Sequence, residues 1–177
     1  MVFNKLCALL MIFGVLVFEK GNAKDYTTLK KPAFTIIGIG VKTSNNHDRG
    51  PSDISKLWER FITENIADKI PNKVSNDVVA LYCDYEGDFT QPYTLVIGCP
   101  VNSTIRIPEG MVFKNVPEST YAVYSAFGEF PKCIIETWVK VWKSNLARTY
   151  TGDFELYGEK FLKGDPKEVE VLIAIEP

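Results

Sequence analysis

The chain contains a single histidine and no Cys-x-x-Cys pair, so a zinc site of the usual Cys and His spacing has almost no raw material. No block of Lys and Arg occurs either; 20 basic side chains face 22 acidic ones, for a formal net charge of −2. Phosphate affinity comes mostly from clustered cations that release counterions, so a nucleic-acid partner is not expected. Gly-x-Ser-x-Gly and phosphate-cradling glycine loops are absent, and the lone His47 lies in the polar loop Asn45-Asn46-His47-Asp48-Arg49. No nucleophile with a base beside it can therefore be assembled. Catalysis, if present, would run on a carboxylate and phenols, without metal or cofactor. Phosphate, zinc and triad chemistry are all set aside by composition.

What the sequence does have is an ordinary globular balance, 46% hydrophobic and 24% charged, with 3 Trp, 11 Phe and 8 Tyr. Such an aromatic supply builds either a core or an aromatic-walled pocket. At the N-terminus Lys5 precedes the apolar run Leu6 to Phe18, followed by Glu19-Lys20-Gly21-Asn22-Ala23. The run is shorter than the roughly 20 apolar residues that span a bilayer, and Gly21 and Ala23 supply small residues at the third and first positions before a cut. Residues 1–23 read as a secretory signal peptide cleaved after Ala23. The expected product is a periplasmic or secreted single domain, residues 24–177, with no stable membrane insertion. Losing Lys5, Lys20 and Glu19 leaves it mildly acidic.

Cleavage leaves Cys83, Cys99 and Cys133, an odd number in a compartment that permits disulfides. Closing a hairpin near Glu86 and Tyr93 sets Cys83 opposite Val96 and out of register with Cys99, so three buried free thiols are expected. Asn102-Ser103-Thr104 is a formal glycosylation sequon, meaningful in a eukaryotic host.

The remaining pattern repeats. Phe34 to Val41 is a β-rich run with two glycines. After Gly50-Pro51-Ser52, Ile54, Leu57, Trp58, Phe61 and Ile62 form one helical stripe that stops near Pro71. Strands Val78 to Glu86 and Tyr93 to Val101 follow around the Gly87-Asp88 turn. The order then recurs: Met111 to Val116 leads into strand Tyr121 to Phe127, Gly128 and Pro131 open a second helix, and Phe154 to Phe161 and Val169 to Ile175 complete the set. That helix carries Ile134, Ile135, Trp138, Val141 and Trp142, with Trp138 in the place of Trp58. The expected fold is α+β, a tandem βαββ duplication with pseudo-twofold symmetry. It forms an antiparallel sheet with two helices on one side and leaves a ligand pocket on the other side or at the seam between halves.

Gly128-Glu129-Phe130-Pro131, then Glu136-Thr137-Trp138 with Trp142, then Asp153-Phe154-Glu155-Leu156-Tyr157, in that order before a last strand, resemble the GyrI-like small-molecule-binding family, also described as the effector-binding domain of AraC-type activators. Tyr82-Cys83-Asp84-Tyr85, Ile97-Gly98-Cys99 and the segment from Val116-Pro117 to Tyr124 resemble its middle strands, so the likeness covers about residues 34–175. The resemblance implies an aromatic-lined central pocket for hydrophobic, often cationic compounds, with the strand acid Glu155 inside it. Tyr157, two residues on, shares its face. A carboxylate among aromatic rings suits an organic cation, because ion pairing and the ring quadrupole both attract positive charge.

The candidate ligand-binding residues are Glu155, Tyr157, Trp138, Trp142, Tyr82, Tyr124 and Tyr93. The expected role is an exported binder of a hydrophobic or aromatic, cationic small molecule, of the multidrug-binding kind. One alternative, carried by the same resemblance, is a cofactor-independent hydrolase of cyclopropane-bearing compounds with Glu155 as general base. Another is a protein-interaction module that uses the sheet surface. Haem ligation of the architecturally similar SOUL type has no helix-borne histidine here.

Overall fold

The computed structural model describes residues 25–45 and 49–177. The expected leader at residues 1–23 and His47 lie outside the described residues. Eight strands form one sheet, all of whose pairings are antiparallel, in the order β1-β6-β8-β7-β3-β4-β2-β5. The strands are β1 (Thr27–Lys31), β2 (Phe34–Thr43), β3 (Val78–Cys83), β4 (Tyr93–Val101), β5 (Val112–Val116), β6 (Ser119–Phe127), β7 (Asp153–Tyr157) and β8 (Glu168–Ile175). Helices α1 (Arg49–Thr63) and α3 (Lys132–Lys143) are the long ones, and α2 (Ile66–Lys69) and α4 (Glu159–Leu162) are single turns.

The expected repeat is present as β2-α1-β3-β4 and β6-α3-β7-β8, which meet along the central β3–β7 pair. Each unit also has a leading strand that pairs with the opposite unit: β1 lies beside β6, and β5 beside β2. Only residues 117 and 118 link β5, at one end of the sheet, to β6, near the other end. A connection that short spans roughly 10 Å, so the sheet curls until its ends approach. Inside the curl Phe34, Phe154 and Tyr121 meet edge-on at 5.4 and 5.3 Å, with Leu81, Val116 and Leu172 around them. That face is filled by its own core, which leaves the seam between halves for a site.

Both long helices pack on the opposite face, α1 against β2 and β4 and α3 against β6 and β8. The β3–β7 pair therefore lies in the gap between them. Gly38 and Gly98 oppose one another in the β2–β4 pair, and a Cβ on Gly38 would sit 2.1 Å from the Ile97 carbonyl oxygen. Only glycine permits that backbone approach.

Several boundaries differ from the expected ones. Helix α1 starts at Arg49, with Pro51 in its first turn where a missing N–H costs nothing. It stops at Thr63, because Asn65 takes a left-handed conformation (φ 51°) that separates α1 from α2. Strand β3 ends at Cys83 since Asp84 is also left-handed (φ 49°), so Cys83 faces Thr94, not Val96. Strand β7 ends at Tyr157, and residues as far as Phe161 turn into α4. Ile62 and Ile135, counted on the apolar stripes, are 66% and 59% exposed because they lie at the stripe margins. Cys83, Cys99 and Cys133 are buried free thiols, as expected.

Candidate functional site

Alternation along β7 places Phe154 and Leu156 in the curled core and turns Asp153, Glu155 and Tyr157 toward the helices. Glu155 is 2% exposed. It sits directly opposite Ala80 of β3. Tyr82 and Tyr157 occupy equivalent places on the two central strands, two residues beyond Ala80 and Glu155. Both hydroxyls converge on the acid: Tyr82 donates to Oε1 at 2.7 Å and Tyr157 donates to Oε2 at 2.7 Å. The Trp138 indole N–H donates to Oε1, also at 2.7 Å.

The helical tryptophans complete the symmetry. Trp58 of α1 meets Tyr157 edge-on at 4.9 Å, and Trp138 of α3 meets Tyr82 at 4.8 Å. Each half thus lends its tryptophan to the tyrosine of the other. Glu155 breaks the pattern, since its counterpart is alanine.

Burial pushes the Glu155 carboxyl above the ordinary glutamate range, and the three donated hydrogen bonds pull it partly back. An indole N–H can only donate, and Oε1 takes donors from both Trp138 and Tyr82 while Oε2 takes one from Tyr157. The arrangement therefore favours Oε2 as the place for a proton on Glu155, where it would reverse the Tyr157 bond. The same burial, with the Glu155 charge next in importance, raises the Tyr82 and Tyr157 phenols well above their usual range. They remain donors at neutral pH.

From this floor a wall of rings runs outward. Tyr93 lies 5.6 Å from Tyr82, and Tyr85 lies 5.6 Å from Tyr93. Trp142 lies 6.2 Å from Trp138 and stacks on Phe89 at 6.0 Å. Trp142 is 36% exposed, so the Trp142–Phe89 pair is the outer rim. The wall closes through Tyr150, 5.3 Å from Tyr85, and the Arg148 guanidinium, 4.4 Å from the Tyr150 ring and 5.9 Å from that of Phe89. Asn45 joins the loop after β2 to the β3–β4 hairpin: its amide donates to the Phe89 carbonyl at 2.8 Å, and its Oδ1 accepts from Tyr93 at 2.9 Å. Burial pushes the Tyr93 phenol up to about 12. On the other side of the acid, Phe161 lies 5.2 Å from Tyr157 and 5.3 Å from Phe130.

Of the residues singled out from sequence, Glu155, Tyr157, Trp138 and Tyr82 form one hydrogen-bonded cluster, and Tyr93 and Trp142 stand one ring away. Tyr124 does not join the cluster. It faces the helix side, as alternation requires, but two strands from β7, and its ring packs on Tyr26 at 5.3 Å. The neighbouring ion pair escaped sequence reasoning altogether. Arg148 Nη2 donates to Asp153 Oδ2 at 2.6 Å, Tyr85 donates to the same oxygen at 3.0 Å, and the Ala174 amide donates to Oδ1 at 2.8 Å. Period-two alternation from Glu155 was the signal that could have exposed Asp153. Nothing in the irregular segment after α3 marks Arg148. No group of three or more potential metal ligands exists among the described residues.

Three comparisons bear on this geometry. An integron cassette protein from Vibrio cholerae superposes with a TM-score of 0.69 at 30% identity, over 86% of this chain and 97% of its own. A protein solved bound to tetraphenylphosphonium, SAV2435, gives the same TM-score at 16% identity over 85% and 93% of the two chains, which shows the fold. The Bacillus subtilis protein YobU, named as a putative transcriptional regulator, is 28% identical over 148 residues, 78% of this chain and 90% of its own. Residues 29–175 match the Cass2 family of integron-associated effector binding proteins, so the chain belongs to that family and has the GyrI-like effector-binding fold.

Proposed function

We propose that the chain captures a hydrophobic, aromatic cation between α1 and α3, with Glu155 as its counter-ion. One observation carries this reading: a 2% exposed carboxylate whose hydrogen-bond partners are two phenols and an indole. Asp153, by contrast, has its cation in Arg148. A buried charge without a counter-charge is costly unless something positive completes it, and the surrounding ring faces favour that same sign. The tetraphenylphosphonium held by a protein of the same fold supports the reading. The rings are in contact here, so a guest must part them, and the rim pair Trp142 and Phe89 is the place with least to lose.

At about 5 Å and an effective dielectric constant near 20, the attraction of a cation to Glu155 is about 3 kcal/mol. Calorimetric titration with tetraphenylphosphonium should then show an affinity on the order of a hundredfold weaker for Glu155→Gln. A neutral triphenylmethane analogue should lose little. Equal weakening of both compounds, or of neither, sinks the assigned role of Glu155.

The leader-like residues 1–23 support an exported site of action. Protein recovered from its host's envelope or medium should begin at Lys24. Recovery only from cytosol, beginning at Met1, would overturn export.

A further inference from the structure

Arg148 is a charged group in the ring wall, and its environment is unfinished. Its side chain is 5% exposed. Nη2 is engaged by Asp153, but Nε and Nη1 are buried without an acceptor among the described residues. Asp153 is already committed to Nη2, the Tyr85 hydroxyl and the Ala174 amide. Ring faces flank the guanidinium at Tyr150 and Phe89, and a ring face offers the two idle N–H groups no oxygen. Leaving buried donors of a cation unmade is among the more expensive arrangements in a folded protein. The wall in which they are left unmade is continuous, ring to ring, with the Glu155 cluster.

We propose that Arg148 is an acceptor-reading pole of the same pocket: the ligand carries a carboxylate or carbonyl oxygen for Nε or Nη1 as well as a cationic centre for Glu155. The preferred guest is therefore an amphoteric aromatic compound, positive at one end and oxygen-bearing at the other. The Asp153 pair holds the guanidinium in place and offsets its charge, so the pocket keeps the net attraction for cations that Glu155 provides. This inference rests on the pocket reading above and narrows it.

The test uses two phosphoniums that differ at one end of a five-carbon chain, pentyltriphenylphosphonium and (4-carboxybutyl)triphenylphosphonium. Each is titrated into the wild type and into the paired variant Arg148→Met/Asp153→Asn. Removing both charges avoids stranding Asp153, and circular dichroism checks that the variant folds. The carboxylate probe is expected to bind the wild type about tenfold more tightly than the pentyl probe, as a hydrogen bond to a charged group would give. In the paired variant that preference, read as the ratio of the two affinities, should vanish. Tighter binding of the pentyl probe to the wild type, or a carboxylate preference that survives in the variant, overturns the role of Arg148 and leaves the Glu155 reading standing. Failure of both probes to bind the wild type overturns both.

Discussion

The Glu155 cluster makes opposite demands on two substitutions of nearly equal size, and their difference tests the geometry without any ligand. In Glu155→Gln the amide oxygen can still accept from Trp138 and Tyr82, and the amide nitrogen can donate to a Tyr157 hydroxyl that has turned round. The buried charge disappears, so at neutral pH stability should change by no more than about 1 kcal/mol in either direction. In Glu155→Leu three donors lose their acceptor, two of them on buried side chains, Tyr82 and Trp138. At roughly 1–3 kcal/mol for each unmet donor, less the relief of burying no charge, the expected loss is about 3 kcal/mol. For a domain of this size that is roughly 6–12 °C in Tm.

Acidification separates the wild type from Glu155→Gln in a fixed direction. The folded-state carboxyl is raised above its unfolded value, so the folded protein holds that proton more tightly than the unfolded chain does. The resulting stabilisation is complete below the unfolded value near ~4.3 and is lost as pH rises through the raised folded value. Thermal melts between neutral and mildly acidic pH should therefore show the wild type gaining on the Gln variant as pH falls. A Leu variant as stable as the Gln variant, or a gap that does not depend on pH, would refute the argument.

The same ionisation governs binding: affinity for tetraphenylphosphonium should rise with pH through the folded value of Glu155, and calorimetry on Glu155→Gln should show no such rise. Burial pushes the Cys83 thiol up to about 12 and the Cys99 thiol to about 11, so both should resist a thiol reagent at pH 8 in the native state and react on unfolding. Gly38→Ala would drive a methyl group into the Ile97 carbonyl and the Gly98 backbone. It should cost more than about 4 kcal/mol, read as loss of the cooperative melt; a normal melt would mean that β2 and β4 are not as close as described.

The duplicated βαββ order was legible because each half has its own periodicity: a helical stripe in α1 and α3, and alternation in the strands. The leading strands were not legible as partners of the opposite half, because Thr27–Lys31 and Val112–Val116 are largely exposed edge segments. Their pairing is decided by the curl of the sheet and not by local pattern. Likewise Glu155, Tyr157 and Trp138 stood out through alternation and resemblance, whereas Tyr124 lies outside their cluster because alternation gives a face and not a distance. Arg148 and Tyr150 lie in an irregular segment with no period at all. Only the tertiary fold brings them to Asp153 and Phe89.

On the proposed reading, the departure from symmetry at the seam lets a duplicated fold hold one cation. The two halves contribute equivalent tyrosines, Tyr82 and Tyr157, and equivalent tryptophans, Trp58 and Trp138. Had the acid been duplicated as well, two carboxylates would face each other across the β3–β7 pair, with Cβ atoms about 5 Å apart. Like charges that close in a dry seam cannot both ionise, so one would hold a proton and the pair would act as a single charge at greater cost. Alanine at position 80 removes that conflict. Because rings from both halves supply donors to a single acid, they favour the ionised carboxylate without a cation among the described residues. On that reading, its charge is thereby left for a guest.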